Sequence, residues 1–174
     1  MDGHAMDQLN AGSGWIKRIV VAVDGSPASR QGLEQVSGLA PASGAAVTVV
    51  FVRHLPAAAL MASGMADQLV LESLDELESK VRQEAVRLLG GTGVEWEFVV
   101  REGSPGEEVV KVVEEAGADL VVVGSNRHSS LHNLLLGSTA AHLTAHSPVP
   151  VLVMRSKLAS DAKPVPVEAS GRRR

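Results

Sequence analysis

The 174-residue chain contains no cysteine and no tyrosine, and only two phenylalanines and two tryptophans. The missing cysteine removes disulfides, thiol chemistry and thiolate metal sites, and it accords with a reducing compartment. With so few aromatic rings there is little on which the bases of a single-stranded nucleic acid could stack. Neither sign of charge dominates. Sixteen Lys and Arg against twenty Asp and Glu leave a formal charge of −4, which gives no general electrostatic drive towards nucleic acid. No apolar run reaches the length of a membrane span, and residues 1–14 are polar with two Asp, unlike a signal peptide. The expectation is a soluble, cytoplasmic protein that binds neither membrane nor nucleic acid.

What is present fits one compact domain. Apolar residues make up 45% of the chain and mean hydropathy is positive. Residues 1–14 carry no apolar period and read as a flexible leader, and residues 156–174, rich in Pro, Ser and mixed charge, read as a disordered tail. The domain is expected over residues 15–155.

Within it, strands and helices alternate. Ile16 to Val23 reads as a strand, and its all-apolar second half marks it as central. Ser26 then caps a helix with Pro27 at its first position, and Pro41 and Gly44 close it. Ala45 to Val52 is a second buried strand. His54 to Asp67 reads as a loop or a loosely formed helix start. From Asp67 a helix carries the apolar stripe Val70, Leu74, Leu77, Val81, Ala85 and Leu88, ending at Gly90-Gly91. Val94 to Val100 alternates apolar and charged residues at its start, as an edge strand with one wet face does. Ser104 and Glu107 form a capping box for a third helix that ends at Gly117.

The stretch from Ala118 to Met154 organises the rest. The apolar run Leu120–Val123 stops at Gly124, and a polar loop from Ser125 to Ser130 follows. Gly137, Ser138 and Thr139 then open a short helix, Ser147 to Pro150 stop it, and Val151 to Met154 read as a last strand. Glycine lets backbone approach a ligand closely, and the free N–H groups and dipole of a helix start favour an anion. The order β-α-β-α-β-α-β-α-β predicts an α/β fold with a five-stranded, mostly parallel sheet covered by helices on both faces. Strand order 3-2-1-4-5 makes the first and fourth strands neighbours at the point where the order reverses, so Asp24, Gly124 and Gly137-Ser138 meet in one crevice.

These motifs carry a resemblance. VAVDGS at Val21–Ser26, the Gly-Ser-Pro after the third strand, LLLGST at Leu134–Thr139 and SPVPVLV at Ser147–Val153 resemble the universal stress protein family, over roughly Ile16 to Arg155. The resemblance implies the Rossmann-like fold of the adenine nucleotide alpha hydrolase type. It also implies a nucleotide, usually ATP with Mg2+, lying across the crevice. Asp24 would face the adenosine and backbone near Val52 would line the base. Gly124, Gly137, Ser138 and Thr139 would hold ribose and phosphates, joined by Asn126 and Arg127 from the loop. Arg127 stands where the family pattern has glycine. Arginine does not share glycine's backbone freedom, so it either pairs with phosphate from the side or fills the pocket. Three functions follow: a nucleotide-binding signalling module in stress response, a nucleotide-free dimeric interaction protein, or a slow nucleotide hydrolase. No Walker sequence is present, which excludes P-loop chemistry.

Four histidines occur in pairs four apart, His128 with His132 and His142 with His146. Neither pair has a third ligand at suitable spacing, so they read as surface or loop residues rather than a metal site. The apolar last strand, with Val149, Val151 and Val153, lacks charge at a sheet edge and calls for cover, which a second copy would supply as a homodimer.

Overall fold

The computed structural model describes residues 14–54, 65–125 and 136–155. Residues 1–13 of the expected leader, residues 55–64 of the stretch from His54 to Asp67, Asn126, Arg127, the His128/His132 pair and the tail beyond Arg155 lie outside the described residues.

Among the described residues the chain runs β1 (Arg18–Val23), α1 (Pro27–Ser43), β2 (Ala46–Arg53), α2 (Met65–Leu89), β3 (Trp96–Glu102), α3 (Pro105–Ala116), β4 (Leu120–Gly124), α4 (Ser138–His146) and β5 (Val151–Met154). The strands form one sheet in the order β3-β2-β1-β4-β5, with every pair parallel. This is the expected order. β1 lies at the centre and five of its six residues are buried, because helices cover both its faces.

Side-chain alternation along the strands divides the core in two. Val21, Val23, Val49 and Phe51 face one way, onto Leu33 and Val36 of α1 and Val81, Ala85 and Leu89 of α2. Val20, Ala22, Val50 and Val123 face the other way, onto Val109 and Val112 of α3 and Ala140 and Leu143 of α4. The β1–β4 pairing is fastened at its start by Asp119. Its carboxylate accepts from the backbone N–H groups of Lys17 (2.7 Å) and Arg18 (2.9 Å), and its own N–H donates to the Arg18 carbonyl (2.8 Å). Those two backbone donors hold the Asp119 carboxyl below its ordinary range. Register then follows as Ile19 opposite Leu120 through Ala22 opposite Val123.

The ends of elements test the local readings. Ser26 caps α1 as expected, its hydroxyl accepting from Ser29 N–H at 3.1 Å with Pro27 in the first turn. Pro41, however, does not close that helix. It lies inside the last turn, where its missing N–H forfeits one helix hydrogen bond without ending the helix, and Gly44 terminates it in the left-handed conformation at φ 65°. Ser104 stands at the N-cap of α3, yet its side chain makes no capping hydrogen bond, so the capping box is not formed. Both Ser104 and Glu107 are exposed, and water satisfies them at no cost in geometry. The stripe on α2 also includes Leu89, which is 1% exposed and was absent from the sequence reading.

The edge position of β3 holds. Glu97 faces solvent and accepts from the Thr48 hydroxyl at 3.0 Å, while the Arg82 guanidinium of α2 lies 4.2 Å over the Phe98 ring. β5 forms the opposite edge. No helix among the described residues is long and apolar enough to cross a membrane.

Candidate functional site

At the carboxyl end of the sheet, α1 leaves β1 towards one face while α4 packs with α3 on the other. The divergence leaves a cavity of about 480 Å³, within the range of small-molecule sites. Six of the sequence-derived candidates line it together: Asp24, Val52, Gly124, Gly137, Ser138 and Thr139. Asn126 and Arg127 fall outside the described residues.

The floor is set by the β1–α1 turn. Asp24 accepts from the Ser26 N–H at 2.9 Å through its Oδ1, and Gly25 takes the left-handed conformation at φ 79°. Asp24 therefore both closes the turn and lines the cavity. Ser29, only 3% exposed, accepts from the Asp24 N–H at 3.3 Å and donates to the Ser26 carbonyl at 3.0 Å. Its polarity is fully answered inside the protein, so it stiffens the turn.

Gly124 ends β4 for a reason different from the expected one. A Cβ there would sit 2.5 Å from the Ser29 nitrogen and 2.8 Å from the Ala28 carbonyl carbon. The missing side chain admits the first turn of α1 against the strand; a close approach to ligand is not what demands it. The neighbour is backbone, which no rotamer change can move aside.

The opposite wall is the start of α4. Gly137, with φ −57° and ψ 154°, is the N-cap, so Ser138 and Thr139 are the first two helical residues. Gly137 supplies no side-chain cap to this end. Ser138 is thus the first helical residue and not the cap of its helix. The first turn presents backbone N–H groups and the positive end of the helix dipole beside the cavity.

The third wall is apolar. Val50 and Val52 of β2 face α3, whose Pro105 and Val109 also line the cavity, and Leu74 and Leu77 of α2 reach it from the other side. A charge cluster ties α2 there. Arg53, at the end of β2, contacts Asp75 at 2.7 Å and Glu78 at 2.5 Å, and Glu78 also holds Arg82 at 2.9 Å. Arg82 first and then Arg53 hold the Glu78 carboxyl below its ordinary range, so the cluster stays charged around neutral pH.

Sequence reasoning missed His54, Leu74, Leu77 and Val109 as lining residues. For His54 a signal existed: it continues the alternation Val50, Val52, and so falls on their side of the sheet. The second histidine pair is arranged differently from a metal site. The His142 and His146 rings stack at 4.3 Å, and His146 Nδ1 bonds the His142 carbonyl at 2.9 Å. Among the described residues no group of three potential ligands could hold a metal ion. A smaller cavity of about 260 Å³ lies between α1 and α2, with Arg30, Lys80 and Glu84 at its rim.

This architecture matches known proteins. The family model "Universal stress protein family" matches residues 16–155. A universal stress protein of Methanocaldococcus jannaschii, MJ0531, is 30% identical over 152 residues, covering 84% of this chain and 86% of that protein. The solved structure of MJ0577, a universal stress protein of the same organism, superposes with a TM-score of 0.68 at 24% identity, covering 82% of this chain and 97% of the other. A universal stress protein solved in complex with cAMP is 25% identical, with a TM-score of 0.63 and coverage of 82% and 99%. The chain belongs to the universal stress protein family.

Replacing Gly124 by Ala is expected to cost about 1–3 kcal/mol, because the new methyl meets immovable backbone. Gly38→Ala, on an exposed part of α1 with nothing within 4 Å of the new atom, is expected to be neutral or stabilising. Urea denaturation of the two variants checks the contrast. Equal midpoints would contradict the packing role assigned to Gly124.

Proposed function

We propose that the protein is a binding module for an adenine nucleotide, with ATP and Mg2+ as its physiological ligand, acting in stress signalling. The observation that carries this reading is the convergence of Asp24, Val52, Gly124 and the Gly137–Thr139 turn on one cavity. The cavity has two unlike ends. An uncapped helix start offers backbone donors to phosphate, and the apolar wall of Val52, Leu74 and Val109 offers a slot for a flat base. The relative solved with cAMP supports an adenine ligand. In this reading Asp24 accepts hydrogen bonds from ribose hydroxyls, Val52 backs the base, and Gly137, Ser138 and Thr139 receive the phosphates. Asn126 and Arg127 are the further candidates for the phosphate side.

A hydrolase reading has less behind it. Asp24 is the sole carboxylate among the described lining residues, and it is already engaged by Ser26. Binding and relay therefore describe the site better than turnover.

Equilibrium binding of fluorescent ATP with Mg2+ tests the proposal. Wild-type protein is expected to bind, and Asp24→Ala to weaken binding about tenfold or more, the scale of a hydrogen bond to a charged group. Absence of binding by the wild type would overturn the reading.

The same proposal includes a homodimer built on β5. Among the described residues this edge strand pairs only with β4, and Val151 and Val153 are half-buried while Leu152 is 39% exposed. An apolar, uncharged edge is stabilised by pairing with a second copy. Light scattering is expected to give twice the 18.1 kDa chain mass, and Leu152→Lys to return it to the monomer. A monomeric wild type at micromolar concentration would refute this part.

A further inference from the structure

The cavity contains one titratable ring, and its orientation is fixed by the backbone. His54 follows directly on β2 and lines the cavity. Its Nδ1 lies 3.0 Å from the carbonyl oxygen of Gly103, in the turn that leaves β3. A carbonyl oxygen only accepts, so Nδ1 carries the proton and donates. In the neutral ring this tautomer leaves Nε2 as an acceptor with a lone pair.

The backbone around the ring is held as well. The Gly103 N–H donates to the Arg53 carbonyl at 3.1 Å, which ties the end of β2 to the end of β3. The Arg53 side chain turns to the opposite face, onto Asp75 and Glu78. His54 is exposed to solvent, and its hydrogen bond to the Gly103 carbonyl orients the ring with Nε2 as the acceptor.

Its place in the cleft decides what it meets. β2 and β4 flank β1 on opposite sides, so the end of β2 lies two strand spacings, about 10 Å, from the end of β4. The start of α4 belongs to the β4 side, whereas Val52, Val109 and Pro105 form the apolar slot on the β2 side. A nucleotide with its phosphate at the α4 start puts its base in that slot, with the base edge at His54.

We propose that His54 is the residue that selects the purine. Its Nε2 accepts a hydrogen bond from the exocyclic 6-amino group of adenine, and it disfavours a 6-oxo purine, which would set one acceptor against another. The inference rests on the proposed nucleotide-binding role of the cleft and adds to it the identity of the base and the atom that reads it.

The test compares adenosine 5′-monophosphate with inosine 5′-monophosphate, which differ at the 6-substituent, by calorimetry at pH 7.5 on the wild type and on His54→Leu. The wild type is expected to bind the adenosine nucleotide about tenfold more tightly, the scale of one hydrogen bond gained or mismatched. In His54→Leu the ratio is expected to fall to near one. A wild type that binds both nucleotides equally, or a variant that keeps the preference, overturns the role of His54 while leaving nucleotide binding intact. A wild type that binds neither overturns the underlying reading instead. A measurement on the unaltered protein covers the case of a misfolded variant: the 15N resonance of His54 Nε2 is expected to shift on adding the adenosine nucleotide and to stay in place with the inosine nucleotide. Equal shifts with both contradict the proposal.

Discussion

The contact between the end of β4 and the first turn of α1 governs the site. Gly124 and the Ala28–Ser29 backbone approach so closely that a single methyl would overlap them. This fixes where α1 begins relative to β4, and with it the turn that holds Asp24. The Asp119 clasp fixes the other end of the same strand pair. Between these two points the β1–β4 register has no room to slip, since a one-residue shift would turn buried valines to the wrong face. The cleft is what remains at the carboxyl end once α1 and α4 depart to opposite faces.

That geometry separates two kinds of glycine and serine that look alike in sequence. Gly124 serves packing, whereas Gly137 is an N-cap without a capping side chain. Ser26 and Ser29 close hydrogen bonds among themselves and stiffen the floor. Ser138, by contrast, makes no cap and stands at the cavity wall. An anion arriving at α4 meets the backbone donors of a helix start whose N-cap residue, Gly137, has no side chain to occupy them.

Much of this was legible beforehand, and the exceptions have physical causes. The strand order followed from two features: the all-buried run of β1 and the half-charged start of β3, which only an edge position tolerates. The Ser26–Pro27 start was readable because a helix cap is a local structure. Ser104 and Glu107 had the same local pattern, but both side chains are in water and nothing forces the bond. The packing role of Gly124 was not legible because the first turn of α1, far upstream in the sequence, supplies the obstacle, and spacing along the chain carries no trace of it. His54 was passed over because the residues after it have no period, although its own place in the alternation of β2 was informative. Long-range proximity, more than local conformation, separates the misread residues from those read correctly.

Amide chemical-shift mapping with ATP and Mg2+ tests the central claim most directly. The account predicts perturbations at Asp24, Val52, Gly124, Ser138 and Thr139, with little change at Lys80 and Glu84 beside the smaller cavity. Perturbations centred on Lys80 and Glu84, with the α4 start unmoved, would contradict it.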